Sequence, residues 1–198
     1  MKILGAIIAG GKSTRMGGRE KSFILLDGAS LLERTLSRLR FQVDDVIINA
    51  NGNVARFTPT QTIVVEDVLT NVGTPLAGLH AALYYGANHG FEAVVTIPSD
   101  APFLPLDLVE RLLDGGQVTG AAIARSGGQD HYLTGIWTTA MAKPLGHLIE
   151  SEGLIRVQDF VAKTKAEKVV WDAIPHDPFF NINSPEDLAE AEQIAKGQ

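Results

Sequence analysis

Apolar and polar positions follow two rhythms along this chain, and the rhythms take turns. Residues 3–8 (ILGAII) are an unbroken apolar run ending at Ala9-Gly10-Gly11, which reads as a buried strand. Residues 23–26 (FILL) predict a short strand closed by the turn pair Asp27-Gly28. Leu31, Leu32, Thr35, Leu36 and Leu39 then recur at helical spacing behind Ser30, a capping residue. Residues 46–49, 62–65 and 93–98 predict further buried strands. Residues 75–89 predict a helix, with Pro75 near its first turn and Gly90 at its end. Residues 106–113 predict another. Residues 121–125 and 132–137 read as strands joined in a hairpin around Ser126-Gly127-Gly128. Helices are expected near 139–150 and 154–164, and a strand at 169–171. Residues 184–196 predict an amphipathic helix with Pro185 at its first position and Asp187 in a capping-box place behind Ser184.

Strand and helix signals alternate, so the pattern predicts an α/β fold with a mainly parallel sheet. The length of 198 residues suits one domain, without a repeat or low-complexity linker to divide it. Open α/β sheets bind ligands outside the carboxyl ends of their strands. The Gly10 loop, Asn49, Asp67 and Asp100 each end or follow a predicted strand. If those strands are parallel, the four converge on one rim.

Composition narrows the picture. Apolar content of 45% and charged content of 20% are those of a soluble globular protein with a substantial core. No run approaches the roughly 18–20 apolar residues of a membrane span. The start MKILGAIIAGG briefly imitates a signal peptide, but a glycine and cation loop stands where a cleavage region belongs. The absence of cysteine excludes disulfides and Cys-ligated zinc or iron–sulfur sites, and fits a cytoplasmic protein. A formal charge of −6 argues against a nucleic-acid binder with a broad basic face. Against that acidic background Lys12, Arg15, Arg19 and Lys21 cluster in one loop. Adjacent glycines let backbone approach a ligand closely, and the cations suit an anion, most simply phosphates.

Two glycine motifs fail here. The P-loop pattern would need glycine at Ala6, and Gly17-Gly18 would break the helix that its lysine opens. The G-x-G-x-x-G pattern is ruled out by the adjacent Gly10 and Gly11. What stands is A-G-G-x-S-x-R-M-G-G-x-x-K over residues 9–21. That pattern resembles the signature of nucleotidyltransferases with a Rossmann-like, doubly wound α/β domain of the nucleotide-diphospho-sugar transferase type. Within them it resembles the molybdenum cofactor guanylyltransferases, the MobA family. Further matches are Asn49-Ala50-Asn51, Ser99-Asp100-Ala101-Pro102 and Asn181-Ile182-Asn183-Ser184-Pro185-Glu186-Asp187-Leu188. Gly73-Thr74-Pro75-Leu76-Ala77-Gly78 matches the family's G-P-L-A-G with Thr74 inserted. Glu20 replaces an aspartate before Lys21, and Tyr132 replaces a proline after His131, which leaves the role of His131 open. The likeness is tightest over residues 5–21, 66–78, 96–105 and 181–188, and weak over 115–175.

The resemblance implies a nucleotide-binding half over about 1–105 and an acceptor-binding half over about 106–198. It implies that Ile8, Ala9, Gly10, Gly11, Lys21, Asn49, Asp67, Gly78 and Asp100 bind the nucleotide. Arg15, Lys21 and Asp100 are the expected catalytic set, with Asp100 holding Mg²⁺. The residues support this independently at Asp100, because a carboxylate between Pro98 and Pro102 is stiffly placed and Mg²⁺ takes one or two carboxylates plus phosphates. A helix cap or Asx-turn is the alternative role. Gly78 either brings a helix close to substrate or is a packing glycine, and Asn181 and Asn183 are candidates for the acceptor or the metal surroundings. The implied reaction moves GMP from GTP to molybdenum-molybdopterin by direct displacement at the α-phosphorus. Transient contacts with other cofactor-biosynthesis proteins or apo-molybdoenzymes are implied, but no nucleic acid and no membrane. CTP in place of GTP, a sugar-phosphate or isoprenoid-precursor acceptor, and a non-catalytic nucleotide-binding module are the alternatives.

Overall fold

The computed structural model describes residues 1–9, 20–70 and 72–197. In chain order the strands are β1 (Ile3–Ile8), β2 (Leu25–Leu26), β3 (Ala29–Ser30), β4 (Asp45–Asn49), β5 (Ile63–Val65), β6 (Ala93–Pro98), β7 (Ala121–Ser126), β8 (Gln129–Thr138) and β9 (Glu167–Trp171). The helices are α1 (Leu31–Arg40), α2 (Pro75–Asn88), α3 (Leu108–Gly115), α4 (Ala142–Glu152), α5 (Val157–Thr164) and α6 (Pro185–Lys196). Seven strands form one sheet in the order β5-β4-β1-β6-β8-β7-β9. β1 pairs in parallel with both β4 and β6, β4 with β5, and β7 with β9. β8 runs antiparallel to both of its neighbours, β6 and β7. The two halves of the chain thus share one sheet. Among the described residues no helix is long and apolar enough to cross a membrane.

Helices cover both faces, which is why β1 is apolar throughout and every one of its residues is buried. Ile3 and Ile7 pack with Leu32, Leu36 and Leu39 of α1 and Leu108 and Leu112 of α3. Leu4, Ala6 and Ile8 point the other way, toward Leu76, Leu79 and Leu83 of α2, Leu145 of α4 and Phe160 of α5. The helix of α1 starts at a full capping box, Ser30 with Glu33, and α6 at another, Ser184 with Asp187. Each such cap stabilises its helix by about 1 kcal/mol. The α6 helix closes a smaller cluster with Leu26, Leu31, Phe103 and Ile182.

Several expected elements change their bounds. Lys21–Phe23 is a 3-10 turn, so the strand expected over 23–26 shrinks to β2. β2 pairs only with β3 across Asp27 and Gly28, both at positive φ, as a two-residue hairpin turn requires. Helix α3 starts two residues later than expected, leaving Leu106 exposed. A 3-10 segment, Val54–Thr60, buries Phe57 completely where no element was expected. β8 is longer than the expected 132–137, because pairing continues down to Ser126↔Gln129 at the Gly127-Gly128 turn.

That longer strand does not stay in the sheet. β6 and β8 pair from Ala93↔Thr138 to Thr96↔Gly135 and then part. Pro98 has no N–H to continue the ladder. On the other side, β7 pairs Ile123 with Gly135 but its next residue, Ala124, with His131. Tyr132, Leu133 and Thr134 are thereby left outside the β7 register, a wide bulge next to the end of β6. Gly135 is the point of departure. A Cβ there would lie 2.6 Å from the backbone oxygen of Ala122 and 3.1 Å from Trp137. Trp137 is itself pinned, its indole N–H donating to Thr96 Oγ1 at 2.9 Å. Gly135→Ala is therefore expected to destabilise the protein by about 1–3 kcal/mol, the cost of overpacking against backbone. Urea unfolding checks this, and an unchanged midpoint would show that β8 does not need glycine at its point of departure.

Candidate active site

Since β1, β4, β5 and β6 are parallel, the residues at their carboxyl ends reach one edge of the sheet. The reversed direction of β8 brings its opening residues to that same edge. Across the rim the order is Asp67 after β5, Asn49 on β4, Ile8 and Ala9 on β1, Asp100 after β6, and 130–134 on β8.

The first group is a polar lattice. Asn49 is 2% exposed, and its amide donates to the Val65 carbonyl at 3.1 Å and to Asp67 Oδ1 at 2.9 Å. Asn51 donates to the other Asp67 carboxylate oxygen at 2.8 Å, and the Asp67 N–H donates back to Asn51 Oδ1 at 2.9 Å. Two amides thus fix the plane of one carboxylate. Gly78 belongs to the same group through Asn49. A Cβ at position 78 would lie 2.3 Å from Asn49 Oδ1 and 3.1 Å from Ile8. The small residue lets α2 close onto the ends of β1 and β4, which is the packing role.

The second group surrounds Asp100. Lys21 Nζ stands 3.6 Å from Asp100 Oδ2, both side chains being largely buried, and donates to Asn183 Oδ1. Burial pushes the Asp100 carboxyl above its ordinary range, and the Lys21 charge opposes that. The Asp100 carbonyl accepts the Ile182 N–H at 3.2 Å, which ties the segment before α6 to the end of β6. Asn181 beside it carries a buried side-chain oxygen with no hydrogen-bond partner among the described residues. Asp100 caps no helix: Asp107 occupies the N-cap position of α3. Ser22 and Ser99, joined at 2.9 Å, tie the 3-10 turn that carries Lys21 to the end of β6.

Ile8, Ala9, Lys21, Asp100 and Asn181 line one cavity of about 420 Å³. Its far wall is Asp130, His131, Tyr132, Leu133 and Thr134, the departing part of β8. The sequence pointed to the near wall and singled out His131 on the far one with its role open, although glycine inside the strand pattern at Gly135 was a signal of a bulge there. It missed Arg56, whose Nε pairs with Glu20 Oε2 at 2.8 Å and anchors the residue next to Lys21. Gly10, Gly11 and Arg15 lie outside the described residues. Among the described residues no three or more His, Asp or Glu side chains form a metal cluster. One carboxylate with an unpartnered amide oxygen nearby is a donor set for Mg²⁺ that shares its shell with phosphates and water.

A carboxylate and a lysine facing each other at the carboxyl edge of the parallel strands stand where open α/β sheets bind their ligands, and the lysine suits an anion. Residues 5–168 match the model of the MobA-like NTP transferase domain, so the protein is a nucleotidyltransferase. A molybdenum cofactor guanylyltransferase of Bradyrhizobium sp. (strain ORS 278) is 40% identical over 195 residues, 96% of this chain and 92% of the relative. This chain belongs to the molybdenum cofactor guanylyltransferase (MobA) family. The fold agrees. The crystal structure of molybdopterin-guanine dinucleotide biosynthesis protein A from Archaeoglobus fulgidus superposes with a TM-score of 0.74 at 24% identity, over 98% of this chain and 100% of that one. The 2-C-methyl-D-erythritol 4-phosphate cytidylyltransferase of Thermus thermophilus has the same fold, with a TM-score of 0.73 at 20% identity over 99% of this chain and 100% of that one.

Gly78→Ala tests whether the Asn49–Asp67 lattice serves the nucleotide. The added methyl must displace Asn49, so calorimetry is expected to show at least about tenfold weaker nucleoside triphosphate binding. Full affinity in a folded variant would leave the lattice a structural feature only.

Proposed function

We propose that this protein transfers GMP from GTP to the terminal phosphate of molybdenum-molybdopterin, forming the guanine dinucleotide cofactor and pyrophosphate. The observation that carries this reading is the place of Lys21 and Asp100. They stand between a rigid polar lattice on the β4–β5 side and a cavity on the β8 side. The nucleoside takes the lattice side, with Asn49 and Asp67 offering it fixed polar atoms. The α-phosphate lies at the centre, and the acceptor enters the cavity.

A phosphate oxygen of the acceptor attacks the α-phosphorus. A new P–O bond forms, the bond to the β-phosphate oxygen breaks, and pyrophosphate leaves with the electron pair. The chain has no cysteine to form a thiol intermediate, and direct displacement needs none. Positioning and charge neutralisation supply most of the catalysis. Lys21 neutralises phosphate charge, and Asn183 and Asp100 hold its ammonium in place. Asp100, with the Asn181 amide oxygen beside it, would hold Mg²⁺, which supplies Lewis-acid stabilisation of the phosphates when bound. Gly10 and Gly11 contribute backbone N–H groups, and Arg15 a second cation. The absence of cysteine fits a reaction in the cytoplasm, with transient contacts to cofactor-biosynthesis proteins or apo-molybdoenzymes.

Two measurements test the reading. Asp100→Asn is expected to stay folded and lose about 10²–10³ in kcat, the range for removal of one main electrostatic stabiliser. Turnover near that of the parent at saturating Mg²⁺ would remove Asp100 from the mechanism. In calorimetry with Mg²⁺, GTP is expected to bind at least about tenfold tighter than CTP, equal to about 1.4 kcal/mol. The reverse order would make the protein a cytidylyltransferase with the same chemistry.

A further inference from the structure

The far wall of the cavity holds a polar chain that the mechanism above does not use. Ser126, at the end of β7, is fully buried. Its hydroxyl lies 2.7 Å from Asp177 Oδ1 and 2.6 Å from His131 Nε2. Asp177 Oδ1 also accepts the Phe179 N–H at 2.9 Å, which fixes the carboxylate. An ionised carboxylate only accepts, so the single hydroxyl proton of Ser126 goes to Asp177. The hydroxyl then accepts from His131, whose Nε2 must carry hydrogen. The order is carboxylate, hydroxyl, imidazole, with the serine sealed in the middle. A nucleophilic triad places the imidazole in the middle and the serine toward substrate. This chain of groups is therefore a device for holding an imidazole.

The imidazole it holds is on the cavity wall. Phe179 packs against the ring at 4.8 Å between centroids. Burial keeps His131 below its ordinary pKa, with Asp177 and Asp130 opposing. The neutral ring protonated at Nε2 leaves Nδ1 as a lone-pair acceptor. Among the described residues Nδ1 has no hydrogen-bond partner. A lone pair repels a phosphate dianion and suits an N–H donor. His131 also stands on the side of Asp100 away from the Asn49–Asp67 lattice.

We propose that His131, oriented by Ser126 and Asp177, recognises the acceptor substrate, its Nδ1 accepting from an N–H group of the acceptor's planar heterocycle. The inference rests on the functional reading above and places the heterocycle against the departing part of β8. Ser126 and Asp177 are positioning residues, and His131 is the contact.

Steady-state kinetics with molybdenum-molybdopterin varied at saturating GTP, alongside calorimetric GTP binding, tests it. His131→Phe keeps the ring and removes the acceptor atom. It is expected to raise the acceptor KM about tenfold, the loss expected for one hydrogen bond, while GTP affinity stays unchanged. His131→Gln, which can donate to Ser126 and still offer an oxygen, is expected to recover part of that loss. Ser126→Ala and Asp177→Asn should raise the same KM by a smaller factor, and they carry the test if His131→Phe does not fold. An unchanged acceptor KM in folded His131→Phe overturns the inference and leaves the functional reading standing, as does an equal loss of GTP affinity. A parent protein that transfers no GMP to molybdenum-molybdopterin overturns both.

Discussion

Asp100 is held where the sheet ends, at a place where burial disfavours its charge, and Lys21 at 3.6 Å offsets part of that penalty. The rest of the site is arranged around this pair. The Lys21 ammonium is shared with Asn183, and the Asp100 backbone carbonyl is shared with Ile182, so the segment before α6 is fastened to the end of β6 by both partners. The pair thus joins residues about 80 and 160 positions from Lys21 into one surface. Among the described residues Lys21 is the cation paired with this carboxylate. A divalent cation carrying phosphates would supply the missing charge.

Strand direction then separates the two sides of that surface. Parallel β4 and β5 bring Asn49 and Asp67 to the rim, where they lock each other through amide and carboxylate. Antiparallel β8 brings its opening residues to the same rim, on the opposite side of Asp100. A parallel strand in that place would have presented its carboxyl end there and put residues 130–134 at the far edge of the sheet. The reversal leaves a cavity between β6 and β8, and Gly135 permits it because no Cβ meets the Ala122 carbonyl.

The same fold occurs in a cytidylyltransferase at 20% identity, so the sheet is common to proteins named for different nucleotides. Discrimination between similar bases rests on a few hydrogen bonds, which a fold by itself does not display. Fold alone therefore does not define the substrate, and the flanks must be read residue by residue.

Much of the fold was legible from local physics. The apolar run Ile3–Ile8, short and closed by glycines, reads as a strand covered on both faces, and Ser30 with Glu33 and Ser184 with Asp187 announce helix starts within four residues of chain. The Gly127-Gly128 turn likewise marks its hairpin. The near side of the site was legible for a related reason: Asn49, Asp67 and Asp100 each sit at or just past a strand end, and parallel strands collect their ends. What depends on distant partners was not legible. The 3-10 segment around Phe57 is held by burial of one ring and has no periodicity of its own. Gly78 could be read from sequence as a glycine for a ligand or for packing, and only the packed structure shows Asn49 filling the space above it. The contact between Ser126 and Asp177 spans 51 residues, and no local pattern encodes a hydrogen bond closed by the folding of an entire sheet.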